Sequence, residues 1–148
     1  MPEILAAADR VVTTGKDGPV GKHKGVFHVG VDLGTAYTVV MVLNEDHVPV
    51  AGAWRYAEVV RDGVVVDYLG AIQLVRELKA QVEQRLGAKL VSAASAYPPG
   101  VALAEVRATG HVLEGAGLEC SKLVDEATAA ATLLQIDKGV VVDVGGGT

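Results

Sequence analysis

A short motif that occurs twice in the chain places strong limits on its fold. Residues 29–35 are Val-Gly-Val-Asp-Leu-Gly-Thr, and residues 140–148 are Val-Val-Val-Asp-Val-Gly-Gly-Gly-Thr. In each copy, a valine-rich stretch typical of a buried strand is followed by an aspartate, glycine and a threonine. Glycine lets a backbone approach an anion closely, and consecutive amide N–H groups form a concave donor site. The motif therefore predicts two phosphate-binding turns, each at the end of a strand.

The aspartates of the two motifs, Asp32 and Asp143, predict a metal ion between protein and phosphate. A carboxylate repels phosphate directly, but it can act through hydrated Mg²⁺, which binds carboxylate, water and phosphate oxygens. Two ordinary hairpin turns are the alternative, because Asp and Gly are common turn residues. The repetition of the motif after two valine-rich strands favours the site for Mg²⁺ and phosphate.

The remaining sequence alternates between strand and helix patterns. Three strands joined by short turns come first, and strand–helix units follow, with Asp67 suited to cap the first long helix and Gly87 suited to end it. The expected strands are 26–33, 37–43, 48–54, 89–96 and 118–124, and a further strand at 139–144, outside this set of five, follows the last helix. A meander followed by strand–helix units predicts an α/β fold. We expect a mixed five-stranded sheet with element order βββαβαβα and helices on both faces.

Residues 1–25 have a different character. Apolar residues at positions 4, 5, 8, 11 and 12 would form one face of a short helix, and a glycine-rich link follows. Two interpretations stay open, namely a tail without fixed structure and a helix that docks on a partner.

The composition argues against several classes of protein. The net charge is −5 and Lys and Arg form no dense cluster, which disfavours a nucleic-acid partner. No apolar run approaches the roughly 18 residues needed to span a membrane. The single cysteine, Cys120, cannot form an internal disulfide, and the four histidines have no spacing typical of a metal site. A cytoplasmic protein is therefore expected.

A third motif, Asp-Glu-Ala-Thr-Ala-Ala-Ala, occupies residues 125–131. Acidic residues are favoured at the start of a helix, so a plain helix cap explains it structurally. In a functional interpretation, Glu126 is a carboxylate that orients an attacking water molecule. Two other nucleotide motifs are absent from the sequence, since neither a complete P-loop nor a Gly-x-Gly-x-x-Gly turn occurs.

Together the three motifs resemble those of the superfamily of actin, hexokinase and the DnaK-type chaperones. Residues 31–35 resemble its first phosphate motif and residues 142–148 its second. Residues 125–131 resemble the connecting motif of the chaperones, with Ala127 in place of the usual proline. The resemblance implies one lobe of an actin-like ATPase with a ribonuclease H-like fold.

The same resemblance implies ATP and Mg²⁺ as cofactors. Asp32 and Asp143 would hold Mg²⁺ through water and Glu126 would help to place the attacking water, so these three are the candidate catalytic residues. Phosphate contacts are expected from two turns, formed by Gly34, Thr35 and Ala36 and by Gly145, Gly146, Gly147 and Thr148. The chain departs from the chaperones in two respects. Ala36 stands where they often have Thr, Ser or Asn, and no lysine lies in a context that matches their catalytic lysine.

Within the superfamily, the chain is most similar to the EutJ family of ethanolamine utilisation proteins. The stretches at 56–63, 97–100 and 113–119 carry this similarity, together with the motifs. The resemblance implies a chaperone-like ATPase of ethanolamine catabolism. Its suspected partners are ethanolamine-pathway enzymes or the proteins of a bacterial microcompartment.

The resemblance also implies a division of the chain. Residues 1–25 would be a tail or linker, 26–138 the first lobe, and 139–148 the first strand and phosphate loop of a second lobe. Because the second lobe of these ATPases holds most of the adenosine pocket, we expect this chain alone to bind ATP weakly and to hydrolyse it negligibly. An unpaired apolar strand predicts self-association through residues 139–144. The alternatives are a non-enzymatic assembly module of a microcompartment and a lobe of a small-molecule kinase.

Overall fold

The fold consists of one six-stranded mixed sheet, a small hairpin and four helices. A computed structural model describes residues 3–13, 18–21 and 23–145. The strands are β1 (Val12–Thr13), β2 (His28–Leu33), β3 (Tyr37–Leu43), β4 (Pro49–Tyr56), β5 (Val60–Arg61), β6 (Val64–Val65), β7 (Ser92–Tyr97) and β8 (Glu119–Asp125). The helices are α1 (Glu3–Val11), α2 (Tyr68–Leu86), α3 (Leu103–Gly115) and α4 (Glu126–Leu134).

The order of strands in the sheet is β1-β4-β3-β2-β7-β8. Strands β2, β3 and β4 form the expected antiparallel meander, and β7 and β8 extend it as parallel strands. The predicted α/β fold with a mixed sheet is confirmed. The predicted number of five strands is wrong, because β1 adds a sixth strand in parallel at the edge of β4.

One face of the sheet carries the main hydrophobic core. Side chains of a strand alternate between the faces, so Val29, Val31 and Leu33 of β2 point to the same side and are buried there. They pack in one cluster with the apolar stripe of α2 and with Val112 and Leu113 of α3. On the opposite face, α4 lies beside β7 and β8, and its Ala129 lines a cavity there together with Gly30 and Val39. Helices therefore cover both faces, as predicted.

The ends of α2 match the residue types seen in the sequence. The Asp67 carboxylate accepts a hydrogen bond from the N–H of Gly70 at 2.8 Å, which caps the first turn of the helix. Gly87 ends the helix in the left-handed conformation with φ of 66°. Both caps were predicted, and the helix between them packs against β3 and β4.

The strand predicted at residues 139–144 is wrong. The structure shows neither strand nor helix over residues 135–145. A strand requires a neighbour that completes its backbone hydrogen bonds, and none of the described strands pairs with this segment. Its valines, Val140, Val142 and Val144, are 86%, 77% and 83% exposed.

The expected tail is folded where the structure describes it. Residues 3–13 form α1 and β1, and α1 contacts β4 of the same sheet. Arg85, near the end of α2, fixes this arm, because its Nη1 atom donates hydrogen bonds to the carbonyl oxygens of Val11 at 2.9 Å and Gly52 at 2.8 Å. The interpretation of residues 3–13 as a tail without fixed structure is therefore wrong.

Candidate functional site

A cavity of about 390 Å³ opens where β2 and β8 end. It contains every described residue that the sequence singled out for metal, phosphate or catalysis. These are Asp32, Gly34, Thr35, Ala36, Glu126, Asp143 and Gly145. The other three candidates, Gly146, Gly147 and Thr148, lie outside the described residues. The structure thus brings together three motifs that are far apart in the sequence.

Two aspartates meet in this cavity although they lie at opposite ends of the chain. Asp32 is in β2, and Asp143 lies in the segment that follows α4. The protein around Asp32 displaces water and raises the pKa of its carboxyl group, and the negative charge of Asp143 raises that pKa further. The pair therefore favours a proton or a cation at this end of the sheet.

Glu126 adds a third carboxylate to the cavity, whereas the preceding residue, Asp125, caps a helix. Asp125 accepts a hydrogen bond from the N–H of Thr128 at 2.9 Å and caps α4, and its interactions with the Thr128 side chain and then with this N–H lower its pKa. Glu126 begins the helix and lines the cavity. Burial raises the pKa of Glu126, and the charges of Asp32 and Asp143 raise it further. The helix-cap and site interpretations of this motif are thus compatible, because Asp125 caps the helix and Glu126 lines the cavity.

The turn after β2 presents backbone donors to the cavity. The N–H of Gly34 donates to the carbonyl of Tyr37 at 3.0 Å, which closes the turn. A Cβ atom at Gly34 would lie 2.8 Å from that same carbonyl oxygen, so only glycine fits there. The N–H groups of Thr35 and Ala36 have no backbone partner among the described residues. Two amides and the Thr35 hydroxyl therefore remain as donors for an anion.

The donor set fits Mg²⁺ bound to phosphate better than a metal held by protein alone. Over residues 3–13, 18–21 and 23–145, no group of three or more His, Cys, Asp or Glu is placed to hold a metal ion directly. Mg²⁺ commonly keeps several waters and takes one or two carboxylates together with phosphate oxygens. Asp32 and Asp143 can serve as those carboxylates, with the anion held by the turn at Thr35 and Ala36.

A hairpin that sequence analysis did not assign to the site forms part of its wall. Strands β5 and β6 are joined by Asp62 and Gly63, which have φ values of 50° and 75°. A Cβ atom at Gly63 would lie 2.5 Å from Cγ of Pro98, so glycine lets the hairpin pack closely on that loop. Val60 and Gly63 line the main cavity. The signal for this hairpin was the Asp-Gly pair between short valine-containing strands.

Two further cavities adjoin the first. One, of about 420 Å³, shares Glu126 and Asp143 with it and is bounded by Asp62 and the loop at residues 98–101. The other, of about 230 Å³, lies on the hairpin side of the turn. Its lining residues are Thr35, Ala36, Tyr56, Glu58, Val60 and Arg61. The hairpin thus contributes residues to all three cavities.

Comparison with known proteins identifies the family to which the chain is similar. The Hsp70 protein family matches residues 68–148. The ethanolamine utilization protein EutJ of Escherichia coli K12 is 48% identical over 120 residues, a region that covers 81% of this chain and 42% of that protein. The predicted resemblance to EutJ is confirmed by this similarity, and the chain spans less than half the length of that relative.

Solved structures agree with this similarity. The crystal structure of EutJ from Carboxydothermus hydrogenoformans superposes with a TM-score of 0.82 at 55% identity, covering 87% of this chain and 47% of that one. MreB 5 of Spiroplasma citri, solved with bound AMPPNP, gives a TM-score of 0.57 at 21% identity, covering 78% of this chain and 43% of that one. At that level of identity the second match shows the fold alone. It is the predicted actin-like ATPase fold.

Proposed function

This chain belongs to the Hsp70 protein family, and from that membership we propose that its carboxylate-lined cavity binds ATP together with Mg²⁺. The observation that carries the proposal is the meeting of Asp32, Glu126 and Asp143 in one cavity with the turn at Thr35 and Ala36. MreB 5, which shares the fold, was solved with the ATP analogue AMPPNP, and this supports the choice of nucleotide.

Each group has a role that follows from its chemistry. The free amides of Thr35 and Ala36 donate hydrogen bonds to a phosphate group, and Gly145 lies at the cavity wall that Asp143 also lines. Asp32 and Asp143 hold the waters of Mg²⁺, and the ion offsets the repulsion between carboxylate and phosphate. Glu126, whose pKa is raised by burial and by the two aspartates, would orient an attacking water molecule.

In the cell, we infer a chaperone-like role in ethanolamine utilisation, supported by the similarity to EutJ. The expected location is the cytoplasm, with pathway enzymes or microcompartment proteins as partners. Among the described residues, no helix is long and apolar enough to cross a membrane. Since EutJ of Escherichia coli is more than twice as long as the matched region, weak binding and negligible hydrolysis are expected of the present chain alone.

The proposal is tested by replacing Gly34 with alanine. The new Cβ would meet the Tyr37 carbonyl oxygen at 2.8 Å, so the turn must open and its amides lose their alignment. We expect the affinity for Mg²⁺-ATP, followed by NMR titration of backbone amides, to fall by about tenfold or more. In the unaltered chain the amides of Thr35 and Ala36 should shift on titration.

Gly30→Ala provides the matched control. Gly30 lies in the same strand as Asp32, and a Cβ atom there meets nothing within 4 Å. The control should therefore bind Mg²⁺-ATP like the unaltered chain. If titration to saturating Mg²⁺-ATP leaves the amides of Thr35 and Ala36 unmoved, the cavity is not a nucleotide site.

We also propose that the exposed valines at the end of the described chain mediate self-association. Val140 and Val142 are 86% and 77% exposed and lie in a segment that none of the described strands pairs with. Such a segment can pair with its equivalent in a second copy. The double variant Val140→Ser, Val142→Ser should lower the weight-average mass measured by light scattering at high protein concentration.

The control for this prediction is Val91→Ser. Val91 is 71% exposed but lies beside β7, outside the segment. The weight-average mass should be lower for the double variant than for Val91→Ser, and the two variants should have similar melting temperatures. A clean monomer in the unaltered chain would refute the proposed association.

A further inference from the structure

The main cavity has a strongly acidic lining. Asp32, Glu126 and Asp143 line it, and no lysine or arginine does so among the described residues. A triphosphate in this position would face three carboxylates, and one Mg²⁺ ion offsets only part of the combined charge. A further cation near the phosphate-binding turn would be favourable, because interactions between charges are strong where water is partly excluded.

Arg61 lies next to this turn, on its other side. The smaller cavity of about 230 Å³ is lined by Arg61 together with Thr35, Ala36 and Val60. Thr35, Ala36 and Val60 also line the main cavity, so the two spaces meet at the turn. A phosphate bound to the Thr35 and Ala36 amides would therefore lie beside the smaller cavity, which Arg61 lines.

The Arg61 guanidinium is available for a ligand. No carboxylate lies within ion-pair distance of it among the described residues, whereas Arg55 is paired with Glu77. Glu58 also lines the smaller cavity, but its Oε1 atom accepts a hydrogen bond from the Tyr56 hydroxyl at 2.7 Å. Arg61 is thus an exposed cation without a carboxylate partner in the part of the chain that the structure describes.

The backbone that carries Arg61 is held in place by its neighbours. Arg61 pairs with Val64 in the β5–β6 hairpin, and the intervening turn requires the positive φ values of Asp62 and Gly63. Gly63 in turn packs against Pro98, which lines the main cavity. The hairpin therefore holds the Arg61 backbone beside the turn, and a planar guanidinium can donate two parallel hydrogen bonds to a phosphate.

We propose that Arg61 binds the phosphate group held at Thr35 and Ala36 and supplies the positive charge that the main cavity lacks. This role is not among those that the resemblance to chaperones assigned, since their catalytic lysine has no counterpart in the chain. The inference rests on the proposed function, because it requires a phosphate at the turn.

The test is an NMR titration of the 148-residue chain with Mg²⁺-ATP and, separately, with Mg²⁺-AMP. Arg61→Gln should weaken binding of ATP by roughly tenfold, which corresponds to the loss of a charge-assisted hydrogen bond. Binding of AMP should change less, so the preference for ATP over AMP should shrink. Arg61→Lys, which keeps the charge without the planar fork, should fall between the unaltered chain and Arg61→Gln.

Arg107→Gln is the matched control, because Arg107 is an exposed cation on α3 away from all three cavities. Its ATP affinity should stay within about twofold of the unaltered chain. Equal affinities of Arg61→Gln and Arg107→Gln would overturn the role of Arg61 and leave the ATP site standing. If the unaltered chain shows no ATP-induced shifts at Thr35 and Ala36, both the inference and the proposed function are overturned.

Discussion

Replacing Glu83 with glutamine is expected to lower the free energy of unfolding by about 3 kcal/mol at neutral pH. Glu83 lies in α2 with its side chain only 7% exposed. Its carboxylate accepts hydrogen bonds from Nζ of Lys79 and Nζ of Lys89, both at 2.8 Å, and from the N–H of Leu90 at 2.9 Å. Glutamine cannot satisfy two ammonium groups, and Lys79 would remain as a largely buried cation without its partner.

The effect should depend on pH in a defined direction. Burial by itself would raise the pKa of Glu83, but the hydrogen bonds from Lys79, Lys89 and Leu90 outweigh it and lower the pKa from 4.5 to about 2. A group with a lowered pKa stabilises the fold above its unfolded value and loses that contribution as the pH falls through its folded value. The difference between the unaltered chain and Glu83→Gln should therefore shrink between pH 4.5 and about 2.

Glu77→Gln is the matched control for this prediction. Glu77 lies in the same helix and is paired with Arg55, but the two side chains are 41% and 48% exposed. An exposed ion pair contributes roughly 1 kcal/mol or less, because water and salt screen it. Urea unfolding should separate the two variants clearly. Similar losses of stability in both would show that burial of Glu83 is not what gives its ion pairs their strength.

Asp32→Asn is expected to weaken Mg²⁺-dependent ATP binding by about tenfold to a hundredfold. Under the proposed function, Asp32 is one of two carboxylates that hold the hydrated ion. The same change should raise the melting temperature of the chain without Mg²⁺, because it removes a charge that burial and Asp143 both disfavour. Loss of binding combined with a gain in stability is the signature of a functional carboxylate.

The stability gain should disappear in acid. The pKa of Asp32 is raised, so the cost to stability grows as the pH rises above the unfolded value of 3.8 and is complete above the folded value, whereas well below 3.8 both states are protonated and no cost remains. Isothermal calorimetry and thermal melts at pH 7 and near pH 3.5 measure the two effects. Asp46→Asn, at an exposed turn, should change neither quantity. Unchanged Mg²⁺-ATP affinity in Asp32→Asn would remove this aspartate from the metal site.

Much of the fold could be predicted because each sequence pattern that indicated a strand or a helix end involves only residues close together in the chain. The alternating valines of β2 and β3, the cap at Asp67 and the glycine after α2 each depend on a few adjacent residues. The repeated motif of aspartate, glycine and threonine likewise identified the cavity, because Asp32 of β2 and Asp143, in the segment after α4, both line it.

What the sequence did not reveal depends on partners far along the chain. Strand β1 is only two residues long, and it forms because it can pair in parallel with β4 at the edge of the sheet. The apolar segment at 139–144 has the composition of a strand, but its pairing is not available among the described residues. The position of Arg61 could not be foreseen, because it depends on a short hairpin packing against Pro98. Likewise His28 and His47, which no spacing rule connects, stack with ring centroids 4.8 Å apart.

The guanidinium of Arg85 has a consequence for the order in which the molecule assembles. It joins the carbonyl of Val11 to that of Gly52, and the helix that carries it begins only at Tyr68. We therefore expect the N-terminal arm to dock after β4 and α2 have formed. Although a ribosome makes them first, residues 3–13 are expected to join the structure late. Closing this long loop costs entropy that only the finished edge of the sheet can offset.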